Sequence, residues 1–87
     1  MEIKLTEGAR KKFSELNFDA IRIYIKAASW RGLILGVISD KKKEDDDYIF
    51  CEGYMFVINK GLLRSMPEVI TIDYRETGLN RGFKVYL

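Results

Sequence analysis

The chain has 87 residues, with 15 Lys and Arg, 13 Asp and Glu, a net charge of +2 and no His. That length allows one small core and excludes a second catalytic domain. The balanced charge gives no ground for nucleic-acid or membrane binding, and the missing His rules out a Ser–His or Cys–His pair within one chain. A single Cys excludes an internal disulfide and suits a reducing compartment, so the expected localisation is cytoplasmic. Residues 1–20 lack the continuous apolar stretch of a signal peptide, and no run approaches the ~20 apolar residues of a membrane span.

In chain order, "MEIKL" alternates, with Ile3 and Leu5 on one face. Thr6 reads as an N-cap for a helix from Glu7 to Asn17, with Ala9, Phe13 and Leu16 on its apolar side. "AIRIYIK" is the clearest strand: Ile21, Ile23 and Ile25 face one way, and Arg22 and Lys26 turn the other face to water. Ala27, Ala28 and Ser29 read as a small-residue turn, followed by the chain's only Trp, Trp30, then Arg31 and Gly32. "GLILGVIS" is apolar on both faces, which predicts a central strand with a bulge or bend at Gly36.

"DKKKEDDD" reads as a loop. "YIFC" and "YMFVI" form two strands joined by a tight turn at Glu52 and Gly53. Residues 60–65 predict a short helical turn with Leu62 and Leu63 inward, ended before Pro67. "VITIDY", the loop "RETGLNRG" and "FKVYL" complete the chain. The order β-α-β-β-β-β-(short α)-β-β predicts an α+β domain, residues 1–87, with a mixed, largely antiparallel sheet.

Four features could carry chemistry, each with a plainer reading. The acids Glu44, Asp45, Asp46 and Asp47 are contiguous and lack the alternate spacing and Gly of a calcium loop, so they read as a solvated loop. Cys51 is a reactive thiol or metal ligand in one reading and a small buried hydrophobe in the other. Asp73 and Glu76 are carboxylates three positions apart, and a strand end opening into a loop explains them as well as acid–base chemistry does. Arg31, Arg64, Arg75 and Arg81 with Trp30 match no recognised nucleic-acid motif.

Four pieces in order, "IKLTEGARKKFSEL", "IRIYIKAASWRGLILGVISD", "YIFCEGYMFVINKGLLRSM" and "VITIDYRETGLNRGFKVYL", resemble the HesB-like family, the A-type iron–sulfur cluster assembly proteins. The resemblance implies a twisted β-sandwich with one N-terminal and one short helix. It also implies assembly as dimers or tetramers, and transfer of iron or a cluster held by three Cys ligands. One ligand belongs to a Gly–Gly–Cys–Ser–Gly loop and two to a C-terminal Cys–Gly–Cys. Aligned on Gly32, the loop Cys falls at Trp30, the next Ser at Arg31 and the preceding glycines at Ala27 and Ala28; Leu87 precedes the place of the Cys–Gly–Cys. Indole offers no lone pair to iron, and cluster iron takes thiolates.

The expectation is therefore a degenerate HesB-like domain without the cluster ligands. It is not an enzyme, needs no cofactor, and works by contact with a protein partner or by self-association, with no nucleic acid and no membrane. The alternative is iron or cluster binding through Cys51 across a dimer. Trp30 is either a plug filling the space of the cluster or an interface anchor, with Arg31 and Gly32 beside it. An aromatic small-molecule site near Trp30 is a further reading.

Overall fold

The alternation at Ile3 and Leu5 makes β1 (Glu2–Leu5), which pairs in parallel with β6 (Val69–Arg75), setting Ile3 opposite Ile70 and Leu5 opposite Ile72. In this computed structural model, which describes residues 1–79 and 81–87, β7 (Gly82–Tyr86) pairs antiparallel with the other side of β6, giving a sheet of order β1-β6-β7. The expected loop between β6 and β7 includes Asn80, which lies outside the described residues.

A second sheet has the order β3-β2-β5-β4, built from β2 (Ala20–Ser29), β3 (Gly32–Asp40), β4 (Asp46–Cys51) and β5 (Tyr54–Asn59). The β2–β3 and β4–β5 pairs are antiparallel hairpins, whereas β2 and β5 run parallel. The sandwich is the expected α+β arrangement. Glu52 at φ 52° and Gly53 at φ 86° give the β4–β5 turn two consecutive left-handed residues, the geometry of a tight type I′ hairpin.

Helix α1 (Glu7–Glu15) starts as expected: the Thr6 hydroxyl accepts from the Ala9 N–H at 3.2 Å. It ends earlier than Asn17, because Leu16 turns extended while its N–H still donates to the Lys12 carbonyl. Its Phe13 is the hub of the core. The ring stacks on Phe83 at 4.8 Å and meets Phe56 edge-on at 5.8 Å, so one side chain ties helix and both sheets together. The predicted helical turn near residue 60 is α2 (Lys60–Leu63), capped by the Asn59 side chain, with Leu62 and Leu63 packed against the core.

Two expectations fail in the second sheet. "GLILGVIS" is an edge strand, not a central one, and leaves Ile34 and Ile38 exposed. The bulge is not at Gly36 but on its neighbour, where the register steps from Ile25↔Leu35 to Ala27↔Ile34 around Lys26. Gly36 instead lies beneath the Tyr24 ring, where an added Cβ would meet ring atoms at 2.8 Å.

Gly8 has a tighter constraint, since a Cβ there would stand 2.7 Å from the backbone carbonyl oxygen of Tyr74. Helix propensity alone favours Ala over Gly by about 1 kcal/mol. We expect Gly8→Ala nonetheless to lose about 1–3 kcal/mol in chemical denaturation, because a backbone atom must move. A gain in stability would show that α1 and β6 are not held this close.

Candidate functional site at the β2–β3 hairpin

The small residues Ala27, Ala28 and Ser29 are not a turn. They extend β2, and the reversal takes place at Trp30 and Arg31 alone. Neither of those two has a positive φ, and Gly32 at φ 119° supplies the left-handed step that rejoins β3, which a side chain would strain. The Arg31 N–H donates to the Ser29 hydroxyl at 3.2 Å, and the Arg31 guanidinium lies 4.9 Å from the centre of the indole ring.

Trp30 is 89% exposed. The plug reading is therefore corrected: the indole fills no space in its own core and stands in solvent at the tip of a two-strand ribbon. The reason is the length of that ribbon. β2 pairs with β5 only at Ile21, Arg22 and Ile23, while its pairing with β3 continues to Ser29. The outer half of the hairpin projects beyond β5 and carries its tip away from the core. From Ile25 onward, among the described residues, no strand pairs with the β5 side of β2.

Where β5 ends and turns into α2, a cleft of about 450 Å³ opens between the hairpin and the short helix, with Ile23, Ile25, Leu33 and Leu62 on its walls and Asn59 and Ser65 at its polar margin. Ile25 is 47% exposed, although it continues the inward face of Ile21 and Ile23. The sequence alternation predicts that it is buried with them. Only the parallel β2–β5 register shows where the cover stops.

The base of the hairpin is fixed by a charged network that the sequence pattern does not reveal. Arg22 does not point to water. Its guanidinium donates to Asp40 at 2.6 Å, to both carboxylate oxygens of Asp46, and to the Lys41 carbonyl at 3.0 Å. Asp46 is only 3% exposed, so the acidic run is not wholly a solvated loop: Asp46 and Asp47 begin β4. The hydrogen bonds from Arg22 hold the Asp46 carboxyl down to about 2, and the two carboxylates raise Arg22 in return.

The remaining candidates separate. Cys51 is half-buried on the far edge strand, its thiol donating to the Ile3 carbonyl at 3.2 Å, and burial pushes the thiol pKa up. It pairs with Tyr54 at the start of β5, level with the beginning of β2, whereas Trp30 is beyond the end of β2. The two positions therefore occupy opposite corners of the sheet. Asp73 accepts from the N-capping Thr6 hydroxyl at 2.6 Å, which lowers its pKa and gives it a structural task. Arg75 and Arg81 belong to the β6–β7 end, Arg64 to the C-cap of α2 and Arg31 to the hairpin tip, each on a different element.

Trp30 and Arg31 have only hydrogen-bond donors and no atom that can ligate iron. Among the described residues, no three His, Cys, Asp or Glu side chains converge as a metal-binding group. The residues at this loop do not fit an iron–sulfur cluster.

No protein-family model matches the chain, and no curated protein matches it. Solved structures do match, and they show its fold, which is that of the A-type iron–sulfur assembly proteins. A structure of IscA with a 2Fe–2S cluster superposes with a TM-score of 0.73 at 15% identity, over 97% of this chain and 83% of the other. Escherichia coli SufA, described as involved in the biosynthesis of iron–sulfur clusters, superposes with a TM-score of 0.63 at 19% identity, over 98% of this chain and 79% of the other. At these identities the likeness establishes the HesB-like fold.

The network at the hairpin base sets an acid limit on stability. A carboxylate whose folded pKa is depressed stabilises the fold above its unfolded value and loses that contribution as pH falls through the folded one. For Asp46 the window runs from about pH 4 down to about 2. We expect Asp46→Ala to cost about 3 kcal/mol at neutral pH and to flatten the acid limb of the stability curve over that window. An unchanged acid limb in urea titrations at stepped pH would remove Asp46 from this role.

Proposed function

We propose that this chain uses the fold of iron–sulfur assembly proteins as a contact scaffold and does not carry a cluster at the hairpin loop. The observation that carries the reading is Trp30: an indole 89% exposed, on a short defined turn, at the position where the family resemblance puts a ligand Cys. Trp and Arg are the residues most enriched among the anchors of protein interfaces, and here they are adjacent, with the guanidinium on the ring. Ile34 at 55% exposure and Ile38 continue an apolar surface along β3. The chain does no catalysis in this reading, and its partner is a protein, either a second copy or another chain.

The arrangement does not favour the Cys51 alternative. That thiol is half-buried, hydrogen-bonded and harder to ionise, whereas cluster ligation requires the thiolate.

Anaerobic reconstitution with ferrous iron and sulfide, followed by metal and sulfide analysis, tests the proposal. We expect far less than one iron per chain after desalting, and the same result for Cys51→Ser. Stoichiometric iron and sulfide with cluster absorbance would overturn it, and loss of that iron in Cys51→Ser would establish the alternative.

A further inference from the structure

Beside the outer half of β2 the second sheet offers an unused strand edge, and the segments around it are basic. We propose that this edge and its cleft take an extended acidic segment of a different protein as an added strand, with bulky apolar side chains of that segment seated in the cleft. This rests on the contact reading above and names the chemistry of the partner.

An unpaired strand edge is a row of free N–H and C=O groups, ready to accept another strand. β5 pairs with Ile21, Arg22 and Ile23 and ends at Asn59, where the chain turns into α2. From Ile25 to Ser29, among the described residues, β2 pairs with β3 alone. Five residues of strand span about 16 Å, enough to hold a short extended segment. That segment continues the line of β5 past its end and sends alternate side chains to opposite faces. Those on the inward face meet the cleft of about 450 Å³, where Ile25, Leu33 and Leu62 offer apolar walls. The exposed Ile25 gains the cover that its own β5 does not give. At its far end the edge leads to the exposed Trp30, one residue beyond Ser29.

Charge says what kind of strand fits. The two segments that wall the cleft, residues 20–39 and 59–67, contain Arg22, Lys26, Arg31, Lys60 and Arg64 and none of the chain's 13 acids. Arg22 is held by Asp40 and Asp46. The other four are exposed and, among the described residues, make no salt bridge. Unpaired cations on both sides of one cleft favour a strand that carries carboxylates between its apolar side chains. Lys26, in the middle of the edge, suits such a strand and turns away a second copy, which would bring its own cationic hairpin. A single-stranded nucleic acid could meet the cations, but it has no main-chain amides to pair with the edge of a strand.

The test uses the full chain and the fluorescence anisotropy of labelled synthetic peptides of about seven residues, long enough to cover the edge. One peptide alternates Glu with Leu, and a second alternates Lys with Leu. Two further versions of the Glu peptide are methylated on the backbone nitrogens of either the Glu or the Leu residues, which removes the donors of one edge or the other. The Glu peptide should bind, more weakly as salt rises. The Lys peptide and one of the methylated versions should bind about tenfold more weakly or worse. Lys26→Glu combined with Arg64→Glu should reverse the preference between the Glu and Lys peptides, a reversal that a misfolded chain could not show. No binding of the Glu peptide, equal binding of the Lys peptide, indifference to both methylations, no reversal in the double variant, or equally tight binding of an oligodeoxythymidine would overturn the proposal. An iron-free protein that ignores the Glu peptide would sink this inference alone, whereas an iron-loaded protein would sink the contact reading whatever peptide it binds.

Discussion

The arrangement of the second sheet depends on Arg22. β3 and β4 are consecutive in sequence but lie at opposite edges of this sheet, with β2 and β5 between them. The chain must therefore cross three strand spacings, about 14 Å, over residues 41–45. Arg22 stands under that crossing and holds both ends of it, Asp40 where β3 finishes and Asp46 where β4 begins, with the Lys41 carbonyl between. Lys60 donates its N–H to the Asp45 carbonyl and ties the crossing to the start of α2. A planar guanidinium with several donors suits this task, and Lys would not replace it, because one ammonium cannot reach two carboxylates and a carbonyl in a fixed plane. Once the crossing is fixed, β5 is confined beside the first half of β2, and the second half of β2 is left to project with β3 as a free ribbon.

That projection decides what the loop can be. In a shorter hairpin an indole at residue 30 would be close enough to the core to fold back into it. Here the ribbon outruns β5, the turn is closed by Gly32, and the indole stays in solvent. The side chains of Trp30 and Arg31 also offer iron no lone pair. A Trp beside an Arg, above an open strand edge and an apolar cleft, has the chemistry of recognition by burial. The chain shares its fold with IscA and SufA, and in the reading proposed above the side chains on this hairpin use that frame for contact.

Much of this was readable in the sequence where the determinants are local. Thr6 ahead of an amphipathic stretch fixed the helix start, Ile21, Ile23 and Ile25 marked β2, and Glu52–Gly53 marked a two-residue turn. Long-range pairing was not readable. The β1–β6 and β2–β5 pairs are parallel and join segments far apart in the chain, so nothing local shows that β3 lies at an edge or that β5 stops short of Ile25. Asp46 was hidden in a run of like charges because its partner lies 24 positions away. The small residues before Trp30 looked like a turn by composition, yet the β2–β3 ladder carries them as strand, because Ile34, Leu33 and Gly32 of β3 continue to pair opposite them.

The central claim is that the indole at the hairpin tip faces outward, free to be covered by another chain. Acrylamide quenching of the single Trp at high dilution tests it most directly, because Trp30 is the only source of indole emission. The account predicts red-shifted emission and a quenching constant close to that of free indole. Blue-shifted emission that resists the quencher in dilute monomer would contradict it, and would mean that Trp30 packs into its own fold.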